Sequence, residues 1–173
     1  PRAVLARMAL TVAAAVRAMR AKTARGMINI NTNAGFPAGI REIAAAGLDS
    51  MRVSVISARP EVHRAYYRCS YTLDDILAAI AFAKARGVRV SLNMLLMPGL
   101  NDRPEEAAAW EDFIGAAGVD MIQLRNLNID PDLLWPALPA PAAPPLGVKA
   151  FLERLAAKFP AVRFGSFSRY IEK

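Results

Sequence analysis

Strict alternation inside four short β-rich runs constrains this chain more than any other feature. Ile28 and Ile30 alternate with Asn29 and Asn31, and Val53 and Val55 with Arg52 and Ser54. Val90 and Leu92 alternate with Arg89, Ser91 and Asn93, and Ile122 and Leu124 with Gln123 and Arg125. Each run is followed by a loop, an amphipathic helical stretch and a glycine. Strands alternating with helices build a parallel sheet with right-handed crossovers. Helix-covered parallel strands are normally apolar on both faces, and a closed (β/α)8 barrel fills its interior with Val, Ile and Leu. Here one face is polar. If the apolar set meets the helices, the polar set lines a barrel interior. Asn, Gln and Arg buried there without partners would be strongly destabilising. The pattern therefore predicts a wet or ligand-filled lumen. Arg52 and Arg89, near strand beginnings, have the alternative of reaching solvent at the barrel floor. Ser54, Asn93 and Arg125 lie nearer the C-terminal strand ends, where parallel barrels keep their active sites.

The elements follow in order. An Ala-rich helix is expected over 3–25 with Gly26 as its stop, then a strand over 27–31. Residues 37–46 read as a helix with Ile40 and Ile43 inward, and 50–57 as a strand. Thr72 caps a long helix whose first turn holds Asp74 and Asp75, and Leu73, Ile76, Leu77 and Ile80 form its apolar stripe. A strand over 88–96 follows, then a helix opened by Asp102, Pro104, Glu105 and Glu106 and lined by Trp110, Phe113, Ile114 and Ala117. After a strand over 120–127, six prolines between 131 and 147 predict an extended connection. The last helix carries Val148, Phe151, Leu152, Leu155 and Phe159, and a fifth strand is expected over 162–167. The expectation is one α/β domain. It comprises a basic helical segment 1–26, a βα core 27–130, a proline-rich loop 131–147 and a C-terminal helix and strand 148–173.

Composition narrows the classes. Of 173 residues 54% are hydrophobic and 21% charged, which is globular rather than disordered. No apolar run reaches the ~18 residues of a membrane span, and no secretory signal is read; the single cysteine makes a reducing, cytoplasmic location the expectation. The single cysteine, Cys69, excludes a disulfide scaffold. The net charge of +7 sits entirely in residues 1–41, which hold seven basic groups and no acid. A nucleic-acid contact is one reading of that segment. A solvated helix face, or a face that meets a further segment, is the plainer one, since no aromatics interleave with the charges.

The strand-end motifs carry a resemblance. Asn31-Thr32-Asn33, Met51-Arg52-Val53-Ser54-Val55, the stretch from Asn93 through Met97-Pro98-Gly99-Leu100-Asn101-Asp102, and Arg125-Asn126-Leu127-Asn128-Ile129-Asp130-Pro131 resemble, in order and spacing, consecutive strand ends of radical S-adenosylmethionine (SAM) enzymes. The resemblance covers about residues 27–131 and implies a partial, TIM-barrel-like parallel βα barrel, truncated here to about four or five units. It implies SAM as cofactor, cleaved at a [4Fe–4S] cluster to a radical that abstracts hydrogen from substrate. It further implies Thr32, Asn33 and Ser54 near the methionine moiety, Asn93 at the ribose, and Arg125 and Leu127 bordering cofactor or substrate. Asn31, Ser91, Gln123 and Asn128 would face the substrate side of the lumen.

Two departures stand out. The family's T-N-G turn reads Thr32-Asn33-Ala34-Gly35, with an extra Ala, and the C-x3-C-x2-C cluster motif is absent because Cys69 has no cysteine at the required spacings. With Pro1 as the first residue, the expectation is a barrel fragment, inactive on its own, whose cluster-binding segment lies upstream. The first strand would then expose an edge, to be covered by residues 1–25 or by self-association. Other expected partners are a small-molecule or peptide substrate and the upstream segment, with no membrane. No metal site and no catalytic residue is assigned from the sequence. His63 and Cys69 share a loop but lack further ligands, and Tyr66, Tyr67 and Tyr71 are expected to pack on the rim. Two alternatives stay open: a non-radical barrel enzyme acting on a small acid through Arg125 and Asn93, and a non-catalytic binding domain.

Overall fold

The computed structural model describes residues 2–166. Five parallel strands form one sheet in chain order: β1 (Asn29–Thr32), β2 (Ser50–Val55), β3 (Arg89–Leu96), β4 (Met121–Asn126) and β5 (Arg163–Phe164). The helices among the described residues are α1 (Arg2–Lys22), α2 (Pro37–Ala45), α3 (Pro60–Tyr67), α4 (Leu73–Ala85), α5 (Pro104–Ala117), α6 (Pro131–Leu134) and α7 (Val148–Lys158), with a 3-10 turn at Trp135–Ala137. Strand order decides the architecture. A doubly wound sheet reverses its order partway and carries helices on both faces. Here no reversal occurs, and the long helices pack in sequence, α1 on α2, α2 on α4, α4 on α5 and α5 on α7. One helix layer against a sequential parallel arc is a partial βα barrel, and it does not close. Among the described residues β1 pairs only with β2, and β5 only with β4.

The core lies between sheet and helix layer. Met51, Val53, Val55, Val90, Leu92, Met94 and Ile122 are fully buried against Ile76, Ala79, Ile80, Trp110 and Phe151. A smaller cluster at the C-terminal strand ends joins Ile56, Val62, Leu100 and Leu134. Helix starts follow the sequence signals. The Thr72 hydroxyl accepts the Asp75 amide at 3.2 Å, while the Asp75 carboxylate accepts the Thr72 amide at 2.9 Å.

The floor of the arc carries a repeated device. Asp49 precedes β2, and its carboxylate accepts the Ile28 amide at the entrance to β1 at 2.7 Å while pairing with Arg20 at the end of α1. Asp120 precedes β4, accepts the Val90 amide of β3 at 2.7 Å and pairs with Lys84 of α4 at 3.3 Å. Each aspartate thus ties the neighbouring strand and the helix that leads into it.

Three expectations change. The loop holding His63 and Cys69 contains α3, which buries only Val62 and His63 and so shows no periodic stripe. The proline-rich connection is not simply extended: Asp130 caps α6 by accepting the Asp132 amide at 2.9 Å, and Leu134 is buried. The fifth strand shortens to two residues, and the end of its expected span, Phe167, lies outside the described residues. Among the described residues no helix is long and apolar enough to cross a membrane.

Candidate functional site

Pairing register turns the alternation of single strands into rows across the arc. Ser50 pairs with Arg89 at the floor. One level up, Asn31, Arg52, Ser91, Met121 and Arg163 form a row. The next holds Ser54, Asn93 and Gln123, and the last pairs Leu95 with Arg125. Levels stand about 6.6 Å apart, two residues of strand rise. The intervening rows, such as Val53–Leu92–Ile122, are fully buried against the helices. The polar rows therefore occupy the face that carries no helix.

The row Ser54–Asn93–Gln123 is chemically incomplete. Gln123 is fully buried, and neither its Oε1 nor its Nε2 has a hydrogen-bond partner among the described residues; Asn93 Oδ1 is likewise without one. Each such group costs about 1–3 kcal/mol when left unmade. Two amides offering donors and acceptors side by side match a ligand rich in hydroxyl, carboxylate or amine groups. Arg52 is half-buried one level below, and Arg125 is exposed one level above.

At the rim, the turn after β1 is built by its own side chains. Thr32 Oγ1 accepts the Ala34 amide at 2.9 Å and Asn33 Oδ1 accepts the Gly35 amide at 3.2 Å. Ala34 adopts a left-handed φ of 54° and is buried, so the extra residue is accommodated by a conformation glycine would usually take. Thr32 pairs with Val53, on a row buried against the helices, so it does not join Ser54, Asn93 and Gln123. Leu127 donates its amide to Leu96 O at 3.1 Å and packs on the smaller apolar cluster, while Asn128 is exposed beyond it. Asn31 is exposed at the edge strand, and Ser91 is half-buried beside Arg52.

His63 and Cys69 do meet, with Nε2 3.8 Å from Sγ. The imidazole lies against Tyr67 and Tyr71, ring centroids 4.7 and 5.4 Å away, and burial pushes its pKa down. Tyr67 donates its hydroxyl to Ser54 O at 3.0 Å, and burial, then the neighbouring Tyr71, Tyr66 and Cys69, raise its pKa. The tyrosines are rim packing, and no group of three or more metal-ligating side chains occurs among the described residues.

Sequence reasoning missed a buried polar node beneath the rim. Asn101 donates Nδ2 to Ile56 O at 2.6 Å and accepts the Met97 amide at 2.7 Å. Asp102 accepts the Gly99 amide at 2.6 Å. Ser57 donates to Glu106 Oε2 at 2.7 Å, and Arg59 stands 3.9 Å from Glu106 Oε1. Burial pushes the Glu106 carboxyl up to about 7 against the opposing pull of Ser57, Arg59 and Arg103. The signal lay in a proline-glycine turn followed by five charged or amide side chains, Asn101, Asp102, Arg103, Glu105 and Glu106, which read as a strand-end motif and a helix start.

Comparisons with known proteins agree with this architecture. The profile of the Radical SAM superfamily matches residues 5–110. A GTP 3′,8-cyclase of Streptomyces coelicolor is 35% identical over 89 residues, 50% of this chain and 26% of that protein. A probable GTP 3′,8-cyclase of Methanosarcina mazei is 37% identical over 97 residues, 54% of this chain and 28% of that protein. The chain thus spans about a quarter of the length of these curated relatives. The crystal structure of methylornithine synthase superposes with a TM-score of 0.51 at 16% identity, covering 88% of this chain and 50% of that one, a likeness of fold.

Proposed function

This chain belongs to the radical SAM superfamily, and from that premise we propose that its polar strand face is the SAM cradle of a radical enzyme. The observation that carries the reading is Gln123, fully buried with both amide atoms unpartnered among the described residues. Ser54, Asn93 and Gln123 would hold the hydroxyls and amine of the cofactor, and Arg125 or Arg52 its carboxylate or an anionic substrate. Thr32 keeps its hydroxyl proton, and Asn33 its NH2, to donate from the turn. SAM, if bound at a reduced cluster held elsewhere, would supply hydrogen-abstraction chemistry.

The five strands contain no Asp, Glu, Lys or His. A general acid or base is thus missing from the face itself, which supports chemistry brought by a bound group and disfavours a proton-transferring barrel enzyme.

The cluster does not fit these residues. Cysteine thiolates hold such clusters, the sequence has one cysteine, and Cys69 faces His63. In the proposed reading its ligands come from a segment outside these residues. Such a segment has a place to pack: the outer edge of β1 is unpaired among the described residues, and Leu5, Met8, Val12 and Met19 leave an exposed apolar stripe on α1.

The test is equilibrium dialysis of SAM against the wild-type chain and the Asn93→Ala and Gln123→Met variants. Saturable wild-type binding, weakened about tenfold or more in each variant, is expected. Gln123→Met should at the same time stabilise the unliganded chain by about 2–6 kcal/mol, because it removes two unpartnered polar groups at about 1–3 kcal/mol each. No saturable wild-type binding, or binding indifferent to both changes, would sink the reading. Anaerobic iron–sulfur reconstitution should give this chain no cluster absorbance, and a stable [4Fe–4S] spectrum would contradict the assignment of its ligands elsewhere.

A further inference from the structure

The proline-rich segment 131–147 leaves the end of β4 and is held down by one short stretch of chain, the β3–α5 loop and the start of α5. Arg103, almost fully buried, is the centre of that hold. Its Nε donates to Gly99 O at 2.7 Å, fixing the side chain to its own loop. One terminal nitrogen donates to Pro139 O at 2.8 Å, and the guanidinium lies 5.6 Å from the centroid of the Trp135 ring. The residues on either side add to the hold: Leu146 donates its amide to Asp102 O at 2.8 Å, and Ala142 to Glu105 Oε1 at 3.2 Å. Leu134 is meanwhile buried among Ile56, Val62 and Leu100.

The same loop is tied to β2 through Asn101 on Ile56 O and through the Ser57–Glu106 hydrogen bond. The C-terminal ends of β2 and β3 and the strap that follows β4 thus converge on residues 101–106. Between the last sheet bond of β4, Leu127 N to Leu96 O, and the anchor at Leu134 lie six residues, 128–133, which have no other long-range backbone bond. Arg125 and Asn126 precede that tether directly and are exposed at the lumen mouth.

We propose that Arg103 is the positioning residue of the lumen mouth: it clamps the 131–147 strap as a fixed wall and so sets where the 128–133 tether, which leaves the sheet-held end of β4, stands. A guanidinium suits the task because it presents a planar fork to two carbonyls and a face to an aromatic ring, which a lysine ammonium cannot do together. The functional half of this inference rests on the SAM reading of the lumen, and its test separates the two.

Hydrogen exchange by mass spectrometry reads the clamp, and equilibrium dialysis of SAM reads the mouth. In Arg103→Ala, exchange of peptides containing Ala142 and Leu146 should speed up about ten- to a hundredfold, the scale of losing a charged hydrogen bond, while β2 and β3 keep their protection. SAM affinity should fall in the same variant, and Arg103→Lys should recover part of both effects. Trp135→Ala, which removes a partly exposed ring and leaves the buried network in place, should loosen the strap in the same direction if Arg103→Ala does not fold. Unchanged protection of 131–147 in the alanine variants overturns the clamp. A released strap with undiminished SAM binding, while Gln123→Met still loses it, overturns the positioning role and leaves the site intact. If the wild type takes up no SAM, the lumen reading fails, and the exchange data alone decide the clamp.

Discussion

Glu106 offers a direct test of the buried node. It is fully buried, and its carboxyl is pushed from 4.5 up to about 7, chiefly by burial. The groups acting on it are Ser57, Arg59, Arg103 and Glu61, and Arg59 is shared with the neighbouring Glu105. Below pH ~4.5 the acid is protonated in both folded and unfolded chains, and the folded state carries no penalty from it. Between ~4.5 and ~7 the folded chain keeps a proton the unfolded chain has released, so stability falls as pH rises. Above ~7 both are ionised and the full cost stands. At about 1.4 kcal/mol per pH unit, that displacement amounts to about 3 kcal/mol, a large part of the 5–15 kcal/mol typical of a domain. Glu106→Gln keeps an acceptor for the Ser57 hydroxyl and removes the titration. Urea unfolding of both proteins from pH 5 to pH 8 should show the variant gaining about 3 kcal/mol on the wild type across that range. A difference independent of pH would refute the reasoning. So would one of opposite sign, which would mean that Arg59 and Arg103 favour the carboxylate more than burial opposes it.

Three further outcomes are expected. Gly35→Ala places a methyl inside the space of the Tyr71 ring and should destabilise by about 1–3 kcal/mol in chemical unfolding, with the near-ultraviolet tyrosine signal altered. Asp120→Ala strips the Val90 amide of its carboxylate and should cost about 1–3 kcal/mol, whereas Lys84→Ala, which removes only a half-exposed ion pair, should cost under about 1 kcal/mol. Sedimentation velocity should detect self-association of this chain that falls when Met8, exposed on the apolar stripe of α1, is changed to Glu; a monomer at all concentrations would count against that stripe and the β1 edge as sticky surfaces.

The fold was legible because its signals are periodic. Alternation in 50–55, 89–94 and 121–125 marks both the strands and their faces, and register then aligns Ser54, Asn93 and Gln123. Boundaries shifted by up to three residues at α1 and two at β1, where a helix end and a strand start compete over 23–28. Helix α3 went unread because eight residues with two buried side chains make no stripe, although Pro60-Glu61 is a helix-start pair. The same signature, Asp130-Pro131-Asp132, opens α6. The node around Asn101, Arg103 and Glu106 could not be read, since its partners lie at Ile56, Ser57 and Pro139 and only the folded chain brings them together. The Asn31-Thr32-Asn33 motif by itself did not reveal that the Thr32 oxygen accepts the amide of Ala34 within its own turn.

The paired aspartates at the floor have a consequence for how such a sheet is assembled. Asp49 and Asp120 each write the alignment of one strand against the next, through a backbone amide and a helix-end cation of the adjacent unit. At these two points alignment information passes between neighbours. A structure specified this way behaves as a one-dimensional array, whose cohesion is a sum over adjacent pairs. It can gain or lose a unit at either flank without rewriting the units that remain. It should also fray from its flank at β5, where two residues do the pairing, before it opens in the middle.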